Sequence, residues 1–434
     1  MTASAPTMLP RPVSYLAIIL LLYMTAFSLP TLYDSETPVN NAVASYEFVA
    51  KIVQAVSGAL CVLVLVHRPQ RMGRAVARGW IWLLLTLWAF ATTLWSIEPK
   101  TTFLAAALMA IIIILTAYVA IRFPEGELSR LVAVYMAGLC GLSIAMGVFT
   151  PDYGLMNSPK FAGLLRGVYN SKNLLGDTVS LLLLWALCAI FAGVLRGVLA
   201  WVAVALASVA IFWTWSTTSI LMVLFCLVPL FALRTAATLR VGAVALTTVL
   251  VIFTALLMVA LPPIIQAVVS YFGKDLTFSG RDVIWQAYID LAGERPLTGF
   301  GYSALKNSQD YGISIRFSNG SRPSPHNSFI SMYADMGLPA LFLYAVATIA
   351  LMLKGVRQIG RGDRVGLFAA VFPIGYSING FMEGVGGYSL SFGLVALVYL
   401  TMRPSTLPLV RPDGQASLLG RGPGARRSMS LSAQ

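Results

Sequence analysis

Long apolar stretches separated by short polar segments recur along almost the whole chain. A membrane-spanning helix needs about 20 mostly apolar residues. Twelve stretches approach that length, near residues 14–33, 46–67, 79–95, 101–122, 128–150, 174–192, 197–215, 217–233, 239–263, 327–353, 364–382 and 386–402. Runs such as Leu104–Ala120 do not alternate between apolar and polar positions, which excludes an outer-membrane β-barrel. The pattern predicts an all-α polytopic membrane protein with about twelve transmembrane helices.

The composition agrees with a membrane environment. Hydrophobic residues make up 58% of the 434 residues and charged residues 11%, against about 45–50% and about 25% in soluble domains. A water-soluble, disordered or disulfide-rich secreted protein is therefore excluded. The formal net charge of +13 would indicate nucleic-acid binding in a soluble protein. Cytoplasmic loops of membrane proteins also collect Lys and Arg, so we prefer that explanation and expect no nucleic-acid partner.

The basic residues orient the spans. Nineteen of the 30 Lys and Arg residues lie at the N-terminus, in the even-numbered connections and in the C-terminal tail. The positive-inside rule places this side in the cytoplasm, so both termini are predicted to be cytoplasmic. The first apolar stretch is interpreted as an uncleaved span rather than a secretory signal. Residues 1–403 are predicted to form the transmembrane domain, and residues 404–434, rich in Gly, Ser, Pro and Arg, a disordered basic tail.

The sequence lacks the motifs of several common metal and cofactor sites. The four cysteines lie within predicted spans without metal-ligand spacing, and we interpret them as small core residues. The chain contains no phosphate-binding loop of the Gly-rich Lys-Ser/Thr type, no His-Glu-x-x-His motif and no Asp-x-Asp pair. We therefore expect neither a metal nor another cofactor.

Two outer loops differ from the other connections. One spans about residues 151–173, and the other, about 264–326, is the longest aqueous segment. In the second loop, residues 283–291 carry apolar side chains at helical spacing, with Ser279 or Asp282 as a start signal and Pro296 as a stop, which predicts an amphipathic helix. Most of the remaining basic residues lie in these loops: Lys160, Arg166, Lys172, Lys274, Arg281, Arg295, Lys306, Arg316 and Arg322.

This outward positive charge has two explanations. A ligand that bears phosphates is one, because arginine pairs bidentately with phosphate oxygens. Ordinary loop solubility or contact with lipid headgroups is the other, and charge alone does not separate them.

Other polar residues collect at the same predicted face. His326 stands where the long loop re-enters the membrane, and imidazole suits proton transfer near neutral pH, although a lone histidine is more often structural. The segment 215–219 and the acids Asp177, Asp335 and Glu383 lie at or near the outer ends of spans. Acids inside membranes usually face a cavity or a partner. A proton-coupled transporter would more often place them at the midplane, so this distribution favours a site open to the outer leaflet.

Four elements resemble, in order, motifs of the bacterial O-antigen ligase/polymerase superfamily. They are Leu94-Trp95-Ser96-Ile97-Glu98-Pro99; Arg166-Gly167 with Lys172-Asn173 and Gly176; Ser279-Gly280-Arg281 with Trp285 and Pro296-Leu297-Thr298-Gly299-Phe300-Gly301; and Pro325-His326-Asn327-Ser328 with Gly337-Leu338-Pro339. The resemblance covers roughly residues 80–400. Each element is weak alone, and their order and placement relative to the spans make the set specific.

The resemblance implies a GT-C-like, metal-independent, inverting glycosyltransferase of the bacterial inner membrane. Such enzymes use glycans linked to undecaprenyl diphosphate at the periplasmic face. Polymerases join repeat units into O-antigen or exopolysaccharide, and ligases transfer the glycan to lipid A-core in lipopolysaccharide biosynthesis. Lys172-Asn173 and the run 273–281 look more like succinoglycan-type polymerases, whereas Asp282 and Asn170-Ser171 depart from the usual pattern. A flippase and a chain-length regulator are partners expected from the family.

The resemblance also suggests roles for single residues. Arg281, Arg166 and Lys172 would bind the diphosphate, with Arg322 as a further basic contact. His326 would act as base or orienting partner for the acceptor hydroxyl, with Glu383 as the alternative base. Asn173 and Asn327 would position polar groups of the substrate. A glycolipid or solute transporter, and a scaffold subunit without activity, are the alternatives from other classes.

Overall fold

The structure, a computed structural model, describes residues 9–26, 40–239, 241–242, 245, 248, 281–307, 324–383 and 390–404. Over these ranges the chain is helical, with no strand besides an isolated bridge between Leu155 and Leu165. The helices are α1 (Arg11–Ala26), α2 (Asn40–His67), α3 (Pro69–Arg78), α4 (Trp80–Ala91), α5 (Pro99–Arg122), α6 (Glu125–Phe149), α7 (Pro151–Gly154), α8 (Lys172–Ala192), α9 (Val198–Thr214), α10 (Thr217–Leu239), α11 (Arg281–Glu294), α12 (Ala304–Asn307), α13 (Ser328–Gly360), α14 (Gly366–Met382) and α15 (Phe392–Met402).

Among the residues that the structure describes, six helices are long and apolar enough to cross a membrane: Val49–His67 within α2, and α5, α6, α8, α10 and α13. The pair formed by α3 and Trp80–Leu94, bent by 89°, reaches that length and composition only when its two helices are taken together. The remaining apolar helices, Arg11–Thr25, α9, α14 and α15, have 10–17 residues. The chain is therefore a multi-pass membrane protein.

The predicted spans can be compared with these helices. Eleven of the twelve coincide with a described helix, and the span predicted at 239–263 lies almost wholly outside the described residues. Within the described ranges, six or seven helices meet the length and composition of a full span, so the total of twelve stays a prediction. Most of the tail 404–434 and parts of the loop 264–326 also lie outside the described residues.

The amphipathic helix predicted in the long outer loop is α11. Its buried residues Tyr288, Leu291 and Ala292 lie on one face and pack with Phe300 and Ala334. Its described part begins at Arg281, so Asp282 lies in the first turn, and the proposed cap Ser279 lies outside the described residues. The helix ends two residues before Pro296, as the stop signal predicted.

The centre of the bundle is formed by α8 and α14. The latter packs against α8, α10, α13 and α15. Trp185 of α8 contacts the rings of Phe368, Phe372, Phe392 and Tyr399. All four cysteines are buried, as predicted. The outer helices α2, α4 and α9 instead expose large apolar side chains such as Val66, Leu87 and Trp201, which identifies them as the lipid-facing layer.

A break in α13 creates the attachment point for the long outer loop. Gly337 has φ 72° and ψ −176°, and Pro339 follows it. Proline has no N–H, so the carbonyl of Asp335, four residues earlier, has no donor within the helix. The N–H of Gly301 donates to this carbonyl at 2.8 Å. The segment after α11 thus supplies the hydrogen bond that the proline removes.

The neighbouring carbonyls at the break are satisfied in the same way. The N–H of Phe300 donates to the carbonyl of Ala334 at 3.0 Å, and the indole of Trp88 in α4 donates to that of Met336 at 2.8 Å. A buried carbonyl left without a donor costs about 1–3 kcal/mol. The break is therefore stable because the loop segment and α4 both dock against it.

The first of the four sequence elements completes this docking. The indole of Trp95 donates to the carbonyl of Thr298 at 3.0 Å, and the N–H of Ile97 donates to the carbonyl of Phe300 at 3.0 Å. A Cβ added at Gly301, which has φ 112°, would overlap the side chain of Ser96. Three of the four elements therefore meet at one place and anchor the segment that follows α11.

Gly299 offers a test of this docking. It has φ 64°, and an added Cβ would overlap the backbone of Asp335, whereas Gly362 has φ 81° with no atom within 4 Å of an added Cβ. At both positions the left-handed backbone conformation destabilises the folded alanine variant by about 1–2 kcal/mol. At Gly299 the overlap of the added Cβ with the backbone of Asp335 destabilises it by about 1–3 kcal/mol more. We expect Gly299→Ala to lower the Tm of the protein in detergent clearly more than Gly362→Ala. Equal losses would contradict the docking.

Candidate active site

Three segments far apart in sequence meet at one end of the bundle: the start of α11, the turn before α13 and the end of α14. The carboxylate of Glu383 joins them. Its Oε1 accepts a hydrogen bond from Nη2 of Arg281 at 3.3 Å, and its Oε2 lies 3.2 Å from Nδ1 of His326. Nη1 of Arg281 also donates to the carbonyl of Met382 at 2.5 Å. The three residues predicted to be catalytic therefore form one connected group.

The three side chains differ in how much of their surface is exposed to solvent. The side chain of Glu383 is 6% exposed, that of Arg281 22% and that of His326 47%. A carboxylate withdrawn from water needs charged or hydrogen-bonding partners, which Arg281 and His326 provide. His326 is the member of the group most open to a molecule arriving from outside.

The backbone of His326 adopts a left-handed conformation, with φ 46°. This region is uncommon for residues other than glycine, although histidine enters it more readily than most. Its N–H lies 3.4 Å from Oγ of Ser324. Backbone strain of this kind persists only where surrounding contacts impose it, and it clusters at functional sites. The conformation directs the His326 ring toward Glu383 rather than along the helix that follows.

Trp285 holds the turn in place. Its indole N–H donates to the carbonyl of Pro325 at 2.7 Å, and its ring meets that of Phe381 edge-on at 5.8 Å between centroids. Trp285 lies one turn after Arg281 on α11. One side chain thus connects the three segments that carry Arg281, His326 and Glu383.

Asn327, predicted to position substrate, is the N-cap of α13. Its Oδ1 accepts hydrogen bonds from the N–H groups of Phe329 (3.0 Å) and Ile330 (3.2 Å), and the residue is buried. The side-chain oxygen is therefore engaged within the protein. This capping also explains why the turn containing His326 ends where it does.

Beneath Glu383 lies a second acid, Asp177 of α8. It is fully buried and accepts a hydrogen bond from Oγ of Ser219 at 3.3 Å, and it interacts electrostatically with Glu383 and Arg281. The amide of Asn379 lies beside it, also fully buried. Two acidic side chains therefore lie near one guanidinium at this end of the bundle, and Glu383 is the one that contacts it.

From the sequence, Asp177 and the segment 215–219, which contains Ser219, are predicted to lie at the same face as Glu383, but they are not assigned to the site. The signal was present in Asp177, because an acid inside an apolar span usually has a functional or structural partner. What the sequence did not show is which helices bring these residues together. A Cβ added at Gly176 would lie 2.7 Å from Oγ of Ser219, so glycine permits the close approach of α8 and α10 that unites them.

Arg166, in the first outer loop, binds its own loop. Its Nε donates to the carbonyl of Tyr153 at 2.9 Å and its Nη2 to that of Asp152 at 3.0 Å. Burial raises the pKa of the nearby Tyr169 phenol, so that group remains neutral. Among the hydrogen bonds and ion pairs of the described residues, none joins Arg166 to Arg281, His326 or Glu383, and its guanidinium retains donors beyond the two in use.

Lys172 and Asn173 begin α8. The ammonium of Lys172 lies 3.4 Å from the carbonyl of Trp215 and 5.1 Å from the ring centroid of Phe161. Asp177 follows five residues later on the same helix, about 7.5 Å along its axis. The first loop and the Glu383 group therefore belong to the same end of the bundle. Asn173 is partly exposed, and Arg322 lies outside the described residues.

The chemistry of this end is that of fixed cations, carboxylates and one exposed imidazole. Arg281 uses two of the five N–H donors of a guanidinium in the contacts above, which leaves others for an anionic ligand. Among the residues that the structure describes, no three His, Cys, Asp or Glu side chains are grouped as metal ligands. Proton transfer and anion binding are what the arrangement supports.

Comparison with known proteins agrees with the motif resemblance. Residues 181–345 match the family described as O-antigen ligase. The exopolysaccharide production protein ExoQ of Rhizobium meliloti (strain 1021) is 26% identical over 327 residues, which cover 72% of this chain and 73% of that protein. These matches support the assignment to the O-antigen ligase/polymerase superfamily and a function of the polysaccharide ligase or polymerase type. The matched family region contains Arg281 and His326, whereas Glu383 and Asp177 lie outside it.

The role of Trp285 can be tested without altering the catalytic candidates. Trp285→Phe keeps an aromatic ring against Phe381 but removes the hydrogen bond to Pro325. We expect faster hydrogen–deuterium exchange of the backbone N–H groups of residues 326–330, because the turn loses its anchor. The matched control is Trp213→Phe, which removes an indole hydrogen bond to the carbonyl of Gly163 and should affect only the first loop. Unchanged exchange at 326–330 would show that Trp285 does not hold the turn.

Proposed function

We propose that the protein is a glycosyltransferase of the bacterial inner membrane that uses a glycan linked to undecaprenyl diphosphate at the periplasmic face and polymerises repeat units into polysaccharide. The observation that carries this proposal is the group in which Glu383 bridges Arg281 and His326. An exposed imidazole oriented by a buried carboxylate, next to a guanidinium, suits transfer from a diphosphate donor to a hydroxyl acceptor. The family matches support the class of substrate.

In the proposed reaction, His326 is the base. Its Nδ1 faces Glu383, which favours the tautomer with the proton on Nδ1 and leaves Nε2 to accept the proton of the acceptor hydroxyl. As the new oxygen–carbon bond forms at the anomeric carbon, the bond from that carbon to the diphosphate oxygen breaks. The electron pair leaves with undecaprenyl diphosphate. Attack from the face opposite the leaving group gives inversion.

Glu383 and Asp177 contribute to the same step electrostatically. The imidazolium formed on His326 is stabilised by the Glu383 carboxylate, which is within hydrogen-bond distance. Asp177, which lies beside Asn379, interacts electrostatically with Glu383 and Arg281. These buried groups need no rearrangement when the charge appears, which is the condition for effective transition-state stabilisation.

Arg281 is proposed to stabilise the leaving diphosphate, whose negative charge grows in the transition state. Fixed cations stabilise that state more than the ground state. Lys172, at the same end of the bundle, and Arg166 are proposed as further diphosphate contacts. With Arg and Lys in this role, the proposed reaction needs no metal ion.

The orientation is proposed from charge distribution. The connections that hold most Lys and Arg residues lie at the end opposite to Arg281 and Lys172 along the alternating spans. The positive-inside rule assigns that opposite end to the cytoplasm. The site then faces the periplasm, where lipid-linked glycans would arrive after translocation by a flippase.

Ligation is the second candidate. The family description names an O-antigen ligase, whereas ExoQ is named for exopolysaccharide production. Purified protein incubated with an undecaprenyl-diphosphate glycan separates the two. A ladder on a gel indicates polymerisation, and a shift that requires a lipid A-core acceptor indicates ligation. If the glycan shows neither a ladder nor a shift, with or without lipid A-core, glycosyl transfer is refuted.

Substitutions in the bridged group should abolish the chemistry. We expect His326→Ala to lower the transfer rate about 10²–10⁴-fold, since it removes the base, and Arg281→Ala about 10²–10³-fold. Gln286→Ala is the matched control on α11, because Gln286 is exposed and bonds only Asp290 in the described contacts. Rates are compared at equal amounts of folded protein. Full activity of His326→Ala and Arg281→Ala would remove both residues from the mechanism.

Two substitutions at Asn327 distinguish a role in helix capping from a role in substrate binding. Asn327→Ser keeps an N-cap oxygen, whereas Asn327→Ala removes it at about 0.5–2 kcal/mol. If Asn327 acts only as a cap, the serine variant keeps near-normal KM and Tm, and the alanine variant loses Tm. A KM raised several-fold in Asn327→Ser at unchanged Tm would instead assign it to substrate binding.

A further inference from the structure

Helix α3 has an orientation unlike its neighbours. It makes an angle of 89° with the Trp80–Leu94 segment that follows it. Because that segment runs along the bundle, α3 lies across the end of it. Gly79 alone separates the two helices, and a Cβ added there would overlap the side chain of Met402, so this turn packs closely on the end of α15.

The two faces of α3 have opposite character. Met72 and Ala75 are fully buried, and the helix packs on α2, α5 and α15. Arg71, Arg74 and Arg78, at positions i, i+3 and i+7, form an exposed row on another face. The helix contains no Asp or Glu. This is the pattern of a helix that lies in a membrane interface.

The arginine row carries charge repulsion. Arg74 and Arg78 stand one turn apart and repel each other, and Arg78 also repels Lys354. Like charges at this spacing destabilise a helix. The structure explains part of this charge: Nε of Arg78 donates to the carbonyl of Met402, and Lys354 donates to carbonyls at the end of α15. These contacts cap a helix end. Arg71 and Arg74 are exposed, and Nε of Arg74 donates to the carbonyl of Gln70 at 3.3 Å within the same helix.

The position of the row indicates what lies opposite it. Val66, just before α3, is 75% exposed, and Trp80, just after it, is 54% exposed. Exposed apolar residues on α2 and α4 mark the lipid-facing belt, and tryptophan is enriched at its edge. The arginines therefore stand at the rim of the belt, at the level of phospholipid phosphates.

We propose that α3 binds the headgroup of an anionic phospholipid through Arg71, Arg74 and Arg78. A phosphate placed over the row relieves the repulsion between its members, and the acyl chains lie along the exposed apolar side chains of α2 and α4. The site is at the end of the bundle opposite to Glu383, and the proposal does not depend on glycosyl transfer.

Native mass spectrometry of the delipidated full-length protein tests the proposal. Phosphatidylglycerol should bind more tightly than phosphatidylcholine. Since each surface arginine contributes a factor of about five toward an anionic membrane, Arg71→Gln with Arg74→Gln should weaken phosphatidylglycerol binding about tenfold to thirtyfold. Phosphatidylcholine binding should not change.

The matched control removes two exposed arginines elsewhere. Arg196→Gln with Arg234→Gln should leave phosphatidylglycerol binding within about threefold of the unaltered protein. Arg71→Lys with Arg74→Lys, which keeps the charge, should do the same and guards against misfolding of the glutamine variant. The proposal is overturned if the glutamine pair at 71 and 74 binds like the unaltered protein, if the lysine pair loses as much as the glutamine pair, or if equimolar inorganic phosphate displaces the lipid.

Discussion

A carboxylate that is almost completely removed from water loses its hydration, and the loss amounts to several kcal/mol unless other groups replace it. In this protein Glu383 is in that position, and its partners are Arg281 and His326. Each partner comes from a different part of the chain. The group therefore forms only when α11, the turn before α13 and the end of α14 have assembled. The candidate active site is for this reason also a place where three distant segments of the chain are held together.

The bridged group depends in turn on a backbone arrangement. Pro339 and Gly337 interrupt α13, and the segment around Gly301 supplies the hydrogen bonds that the interruption leaves unmade. Because this segment follows α11 directly, its docking fixes the end of α11, while Trp285 fixes the beginning near Arg281. The elements that resemble the superfamily thus include residues that hold the site as well as residues in it. Glycines of these elements act through the close approach they permit, not through chemistry.

Much of this could be predicted from the sequence because the signals are local. Apolar length located eleven spans that coincide with helices, and apolar spacing with Pro296 predicted α11. The motif resemblance selected His326 and Arg281, which the structure does bring together. Contacts between segments far apart in the sequence could not be predicted. No periodicity relates Glu383 to Nδ1 of a histidine 57 residues earlier, and the break in α13 is recognisable only once Gly301 is seen to pair with it. Asn327 is a different case, since an Asn before an apolar helix is a recognisable cap.

The same geometry bears on the choice between polymerase and ligase. In the proposed mechanism, departure of undecaprenyl diphosphate and proton removal by His326 are common to both reactions, so Arg281 and Glu383 would serve either one equally. The two differ only in the molecule whose hydroxyl reaches Nε2 of His326. Since His326 is the exposed member of the group and Glu383 and Asp177 are buried, acceptor choice has to be made by surfaces outward of the histidine. A change of acceptor then leaves the buried carboxylates and their cation untouched, which is how one fold can serve both branches of the superfamily.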